Sequence, residues 1–178
     1  DLLGQENLYI YDPNIDSINA AIDKFPHITV CSRLEDLLDK SRGVIICAPP
    51  PQHHELALRA ILFKRDVLIE KTMAMSSSQC AEIISLAEHN HCEVLVGHTF
   101  LFNPAVIKAK DILRDNFLFK RVYYLESFRR HLGLIRDDVD AVWDLASHDI
   151  SIFNYWLDSC PMTVQAIGLN FLYEGKVD

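Results

Sequence analysis

The first hundred residues alternate short apolar runs with helical patterns, and this alternation constrains the fold more than any single residue does. Leu8-Tyr9-Ile10-Tyr11 is β-branched and aromatic, and Asp12-Pro13-Asn14 stops it. Apolar residues then recur at Ile15, Ile18, Ile22 and Phe25, the spacing of one helix face. Residues 28–31 read as a second strand and 34–40 as a short helix. Val44-Ile45-Ile46-Cys47 is an unbroken apolar run, as expected of a strand covered on both faces. A helix follows over 52–64, with Leu56, Ala60 and Phe63 on one side, and a strand over 66–70 holds Val67-Leu68-Ile69. Ser76 and Gln79 have capping-box spacing, so the next helix starts there and runs to about Asn90. Val94-Leu95-Val96 closes the series. Strands and helices in alternation with short links give a doubly wound α/β unit, a parallel sheet covered by helices.

The pattern changes near Asn103. Residues 104–116 form one amphipathic helical pattern, and 121–129 alternate as a strand with two different faces. Residues 131–142 are polar and loop-like. Residues 144–157 are helical, with Leu145, Ile152, Phe153 and Trp156 as packing residues, and 162–172 read as a further strand. A boundary at 99–104 therefore separates a first domain, 1–100, from the start of an α+β domain, 101–178.

Composition excludes several function classes. The formal net charge is −8 and no Lys/Arg cluster appears, which argues against a nucleic-acid partner. Apolar stretches such as 43–51 are far too short to cross a bilayer, and residues 1–7 lack the basic start of a signal peptide. The five cysteines are odd in number and form no CxxC pair, the usage of reduced thiols in a cytoplasmic protein, several of them buried. His89, His91 and Cys92 fall at a helix end and read as terminal charge and packing. Asp149 points about 100° away from His148 on a helix, so no metal site is expected there.

Ligands of open parallel sheets sit at the carboxyl ends of the strands. Asp12, Ala48-Pro49, Glu70-Lys71 and His98 all fall at such ends. An acid at Asp12 can accept hydrogen bonds from ribose hydroxyls and repels a 2′-phosphate, which favours NAD over NADP. Alternatively Asp12 is a turn residue of Asp-Pro-Asn. Lys71 is either a surface lysine or an ammonium that stabilises charge on a substrate oxygen. Asp144 and His148, four apart on a helix, share a face. They suit a proton acceptor whose tautomer is fixed by a carboxylate, unless Asp144 is only a helix cap. His53 opens a helix where it can touch a ligand, and His54 faces solvent.

Taken together, Ala48-Pro49-x-x-x-His53, Val67-Leu68-Ile69-Glu70-Lys71, Val96-Gly97 with Phe102-Asn103-Pro104, and Asp144-x-x-x-His148 resemble the Gfo/Idh/MocA family in order and spacing, over residues 8–168. The resemblance implies an incomplete Rossmann-type sheet and an NAD(P)-dependent oxidoreductase. Such an enzyme moves a hydride between nicotinamide and a hydroxyl-bearing carbon of a sugar, polyol or nucleotide sugar. It implies Lys71, Asp144 and His148 as catalytic, with Lys71 and His148 exchangeable as proton acceptor. Asp12, Ala48, Pro49, His53, Glu70 and Lys71 would line the cofactor, and His98, Thr99 and Trp143 the substrate. A cytoplasmic homo-oligomer is the implied parent. Three departures stand out. Thr72 replaces the proline of Glu-Lys-Pro, Leu101 replaces an arginine, and the six glycines offer no G-x-G-x-x-G loop. The chain therefore reads as an internal segment of a longer enzyme. A non-catalytic ligand-binding relative and a redox-neutral enzyme assisted by NAD remain open. Without the N–H cradle for a pyrophosphate, the 178-residue chain alone is expected to bind NAD weakly. Tight, stoichiometric binding in calorimetric titration would contradict the segment reading.

Overall fold

The computed structural model describes residues 8–115, 121–129, 139–171 and 177. Its first part runs β1 (Tyr9–Ile10), α1 (Ile15–Lys24), β2 (Thr29–Val30), α2 (Leu34–Lys40), β3 (Gly43–Ile46), α3 (Pro50–Leu62), β4 (Asp66–Glu70), α4 (Ser77–Asn90) and β5 (Val94–Gly97). The order and type of every element follow the sequence pattern. All strand pairs are parallel, but they fall into two sheets, β1-β2 and β3-β4-β5. After β5 come a 3-10 turn (Thr99–Phe102), α5 (Pro104–Arg114), a π-helical turn (Val142–Ala146) and α6 (Ser147–Leu157).

The register explains the core. Val44, Val67 and Val94 form one cross-strand row, and Ile46, Ile69 and Val96 another. Both rows lie against α3 and α4, where Ala57, Ala60, Ile61, Ile83 and Ala87 are buried with them. The face that α3 buries is thus His53, Ala57, Ala60 and Ile61, with Leu56 and Phe63 at its margin. The intervening row, Ile45, Leu68 and Leu95, points the other way, and Ile45 and Leu95 are more than half exposed. The expectation of a strand covered on both faces is therefore corrected. Helices cover one face of this sheet among the described residues, because side chains alternate across a strand and only one set meets α3 and α4. Helix α1 behaves similarly: Ile18 is buried, while Ile15, Ile22 and Phe25 are exposed.

Local signals hold at most helix ends. Ser76 Oγ accepts from Gln79 N–H, and Gln79 Oε1 accepts from Met75 N–H, a capping box displaced by one residue. Asn103 caps α5 through Ala105 N–H, with Pro104 at its first position. His91 ends α4 with φ 57°, and its N–H returns to Ala87 and Glu88, so it is a C-terminal cap. Helices α5 and α6 are joined by Trp156, whose Nε1 donates to the Val106 carbonyl. Lys110, almost fully buried, donates to the Tyr155 carbonyl and to Asp158 at the C-terminus of α6. A cation is favoured there by the helix dipole.

Other expectations fail. No strand pairing is found for 121–129 or 162–171 among the described residues. Tyr123, Tyr124, Met162 and Ile167 are all strongly exposed. Alternation gives a segment two faces, but a strand also needs a neighbouring backbone to complete its ladder, and none of the described residues supplies one. The loop reading for 131–142 falls largely outside the described residues. Of the cysteines, Cys31 alone is buried; Cys47 and Cys160 are exposed, Cys80 and Cys92 half-buried, and all five are free. His54 is not solvent-facing but bridges α3 to α4 through Glu82 at 2.8 Å.

His53 also departs from expectation. It is fully buried, with Nδ1 2.7 Å from the Thr72 carbonyl oxygen and Nε2 2.7 Å from that of Ala48. It joins the loops after β3 and β4 and is closed off from solvent. His53→Ala would leave these two carbonyls without their side-chain partner and open a cavity. It should lower unfolding free energy by about 2–4 kcal/mol, measured by denaturant titration. A loss below about 0.5 kcal/mol would show that the loops hold themselves.

Candidate functional site

The site is built where β4 and β5 end side by side. Glu70 pairs with Gly97 in the register, and a Cβ on Gly97 would lie 3.2 Å from Glu70 Oε2. A glycine there lets the Glu70 carboxylate fold back over its own strand end, where Oε2 accepts from the Lys71 N–H at 3.3 Å. The chain then turns and sends Lys71 toward the helical segment. Its Nζ donates to Asp144 Oδ1 at 2.6 Å and to the Asp144 carbonyl at 3.0 Å. Thr72 Oγ1 donates to the Trp143 carbonyl at 2.8 Å.

Asp144 lies within the wide turn Val142–Ala146, not at a helix cap. The capping is done one turn earlier by Asp140, whose Oδ1 accepts from Trp143 N–H and whose carbonyl accepts from Asp144 N–H. The carboxylate of Asp144 reaches Lys71.

His148 sits one turn further on, 9% exposed. The Phe100 ring meets it edge-on at 4.7 Å, and the Arg129 guanidinium lies 5.5 Å from the centre of that ring. Arg129 is fixed by Asp149, with Nε 2.5 Å from Oδ2. Burial pushes the His148 imidazole below its ordinary pKa, and the positive charges of Lys71 and Arg129, with His98, push it further; Asp144 opposes them. Burial likewise lowers His98. Burial acts to raise the Asp149 carboxyl, but hydrogen bonds from Arg129 and Ser127 outweigh it and hold the group below the usual range. The expected orientation of His148 by Asp144 is not the arrangement found. Asp144 Oδ1 takes Lys71, and His148 Nδ1 has no hydrogen-bond partner among the described residues.

The structure thus gathers Lys71, Asp144, His148, His98 and Glu70. Asp12 Oδ1 accepts from Asn14 N–H at 2.7 Å, forming the turn that precedes α1. Ala48 offers its carbonyl to His53, and Pro49 precedes the first residue of α3. Thr99 opens the 3-10 turn and is exposed, lining a shallow cleft with Phe100, Phe102 and Asn103. Trp143 is half-buried and meets Thr72 through its backbone. Arg129, Phe100 and the Thr72 hydroxyl are contributors that sequence reasoning missed. Arg129 sat in an alternating segment read only for its faces, and Thr72 was read only as an absent proline.

Buried polar atoms without partners among the described residues cluster here: His98 Nδ1, Ser147 Oγ and His148 Nδ1. Such atoms are nearly always satisfied in folded proteins, so this corner fits a ligand that brings hydroxyl or carboxamide groups. It therefore fits the carboxamide end of a dinucleotide. No group of His, Cys, Asp and Glu suited to a metal ion occurs among the described residues.

Comparison with known proteins identifies the family and the fold. An uncharacterized oxidoreductase of Streptococcus pneumoniae is 24% identical over 97% of this chain and 49% of its own length. The UDP-N-acetylglucosamine 3-dehydrogenase of Acidithiobacillus ferrooxidans is 27% identical over 76% of this chain and 42% of its own length. Its crystal structure superposes with a TM-score of 0.74, covering 96% of this chain and 55% of that one at 18% identity. GenD2 from gentamicin A biosynthesis, solved in complex with NAD, has a TM-score of 0.73 over 84% of this chain and 46% of its own, at 21% identity. These two superpositions show a shared fold. The chain spans about half the length of the curated relatives it matches. The family model of the Gfo/Idh/MocA oxidoreductases, described as having an NAD-binding Rossmann fold, matches residues 4–98, and the chain belongs to that family.

Proposed function

We propose that the protein containing this chain is a dehydrogenase acting on a secondary hydroxyl of a sugar, polyol or nucleotide sugar, with NAD rather than NADP as its cofactor. The observation that carries this reading is the Lys71 ammonium, held by Asp144 beside a buried histidine at the carboxyl edge of a parallel sheet. The naming of a relative as UDP-N-acetylglucosamine 3-dehydrogenase supports the substrate class. Asp12, Ala48, Pro49, Glu70 and Lys71 would hold the cofactor, which when bound supplies the acceptor for a hydride. His98, Thr99 and Trp143 would border the sugar. Residues 1–100 form the cofactor part and 101–178 the beginning of the substrate part. A cytoplasmic homo-oligomer is part of this reading. Among the described residues no helix is long and apolar enough to cross a membrane.

In the oxidation direction the roles follow from charge. His148 is held neutral by burial and by its cationic neighbours, so its ring nitrogen can take the hydroxyl proton. Lys71 carries the charge that stabilises the substrate oxygen as the O–H bond breaks and the carbon–oxygen double bond forms. Asp144 keeps the lysine in place. Its carboxylate pairs with Lys71, and its negative charge also favours the protonated form of the nearby base.

In the full-length enzyme, Lys71→Met and His148→Asn should each lower kcat by roughly 10²- to 10⁴-fold, with a smaller effect on NAD affinity, because neither residue is needed to hold the adenosine half. Asp144→Asn should act in the same direction, and combining it with Lys71→Met should cost little more than Lys71→Met alone, because the two form one unit. Near-normal kcat in both the Lys71 and His148 variants would end the catalytic assignment.

The pH profile follows from the sign of the His148 shift. Its folded pKa lies below the ordinary histidine value of about 6.5, so the base stays unprotonated through that region. Oxidation should hold its rate as pH falls to about 6.5 and decline only below it. The same depression means that protonating His148 opposes folding, so its contribution to stability is present above 6.5 and lost as pH falls through the folded value. An acid limb of kcat centred above pH 7 and absent in His148→Asn would show that the imidazole is instead held protonated.

A further inference from the structure

Thr72 stands next to Lys71, and the structure engages both of its polar groups. Its carbonyl oxygen lies 2.7 Å from Nδ1 of the His53 ring, which is fully buried beneath the loop. Its hydroxyl donates to the Trp143 carbonyl at 2.8 Å, and the next residue along, Asp144, receives Lys71 at both its carbonyl and its carboxylate. Residues 71–72 and 143–144 thus form a ladder of two rungs, each made by a side chain of the strand-end loop on a carbonyl of the helical turn. Those carbonyls belong to a π-helical turn, a stretch whose wider winding departs from the regular helical ladder.

A lysine side chain has four rotatable bonds, and holding its ammonium in one place requires that the backbone it leaves and the group it reaches keep a fixed separation. Proline at position 72 would supply stiffness through its ring but could not donate to Trp143. We infer that Thr72 is a positioning residue: its hydroxyl bond to Trp143, with its carbonyl anchored by His53, fixes the separation between the Lys71 loop and the turn carrying Asp144. The inference rests on the reading of Lys71 and Asp144 as part of the reaction site. In this chain a hydrogen bond does the work that ring rigidity does where proline follows the lysine. The bond also ties the register of the turn to the sheet, because Trp143 is captured through its backbone and not its ring.

The test uses the full-length protein with Thr72→Val, which keeps the shape and removes the hydroxyl, and Thr72→Ser, which restores it. Thr72→Ala serves as a second hydroxyl-free variant should the valine not fold. Two readouts are taken. The first needs no turnover: the rate of Lys71 acetylation by acetic anhydride in the cofactor-free protein, followed by peptide mass spectrometry. The second is the split between kcat and KM on a sugar or nucleotide sugar that the enzyme oxidises. Loss of the hydroxyl should expose Lys71, raising its acetylation rate several-fold, and should lower kcat by on the order of tenfold, with KM for NAD unchanged. Serine should return both to wild-type values. Wild-type labelling in the hydroxyl-free variants, or a serine variant that behaves like valine, would overturn the inference. Lys71→Met separates the two ideas. Full activity there would sink the catalytic reading and Thr72's part in it, while labelling would still report whether the clamp on Lys71 exists.

Discussion

An ammonium and a carboxylate meet where the three-stranded sheet gives way to the helical segment, and the contact between Lys71 and Asp144 organises what surrounds it. Lys71 is about one-fifth exposed and Asp144 about one-quarter, so both are partly removed from water. An ion pair in such a position does not by itself add much stability, because desolvation offsets much of the attraction. Its consequence is geometric. The pair bridges the loop after β4 and the turn before α6, so the two are held to one arrangement. Thr72 and His53 extend that restraint back into the sheet.

The electrostatics of the corner follow from the same arrangement. Positive charges at Lys71 and Arg129 each have a carboxylate partner, Asp144 and Asp149. His148 and His98 lack a charged partner at Nδ1 among the described residues and are shifted toward their neutral forms. The result separates roles between neighbours: a cation that can steady an oxygen, and a neutral base that can take a proton. Environments that push neighbouring titratable groups in different directions are how one site performs acid and base steps at the same pH.

The apolar surfaces left open carry a second lesson. Ile45 and Leu95 on the uncovered face of the sheet, and Ile15, Ile22 and Phe25 on α1, obey the sequence periodicity without being buried. Periodicity specifies which residues share a face, and burial depends on what is packed against that face. The exposed segments 121–129 and 162–171 make the same point for strands. Their alternation is real, but pairing is a property of two backbones, and no single stretch of sequence contains both.

The order of strands and helices, the parallel pairing, the capping by Ser76, and the placing of Lys71 at a strand end were legible in the residues alone. Each depends on interactions within a few residues, or on the short connections that make a parallel crossover the natural solution. The grouping of Asp144 with His148 on one turn was equally local. Which partner each would take was not. That Asp144 reaches Lys71, that His53 meets the Thr72 carbonyl as well as that of Ala48, and that Arg129, tied to Asp149, and Phe100 come to flank His148 are mostly long-range contacts: the Thr72, Asp149 and Lys71 pairs span 19, 20 and 73 residues of chain, and only the Ala48 contact is local, at 5. The tertiary structure decided them, because hydrogen bonds and charge pairs are set by distances of a few ångströms that folding alone creates, whereas the periodicity of helix and strand is already written along the chain.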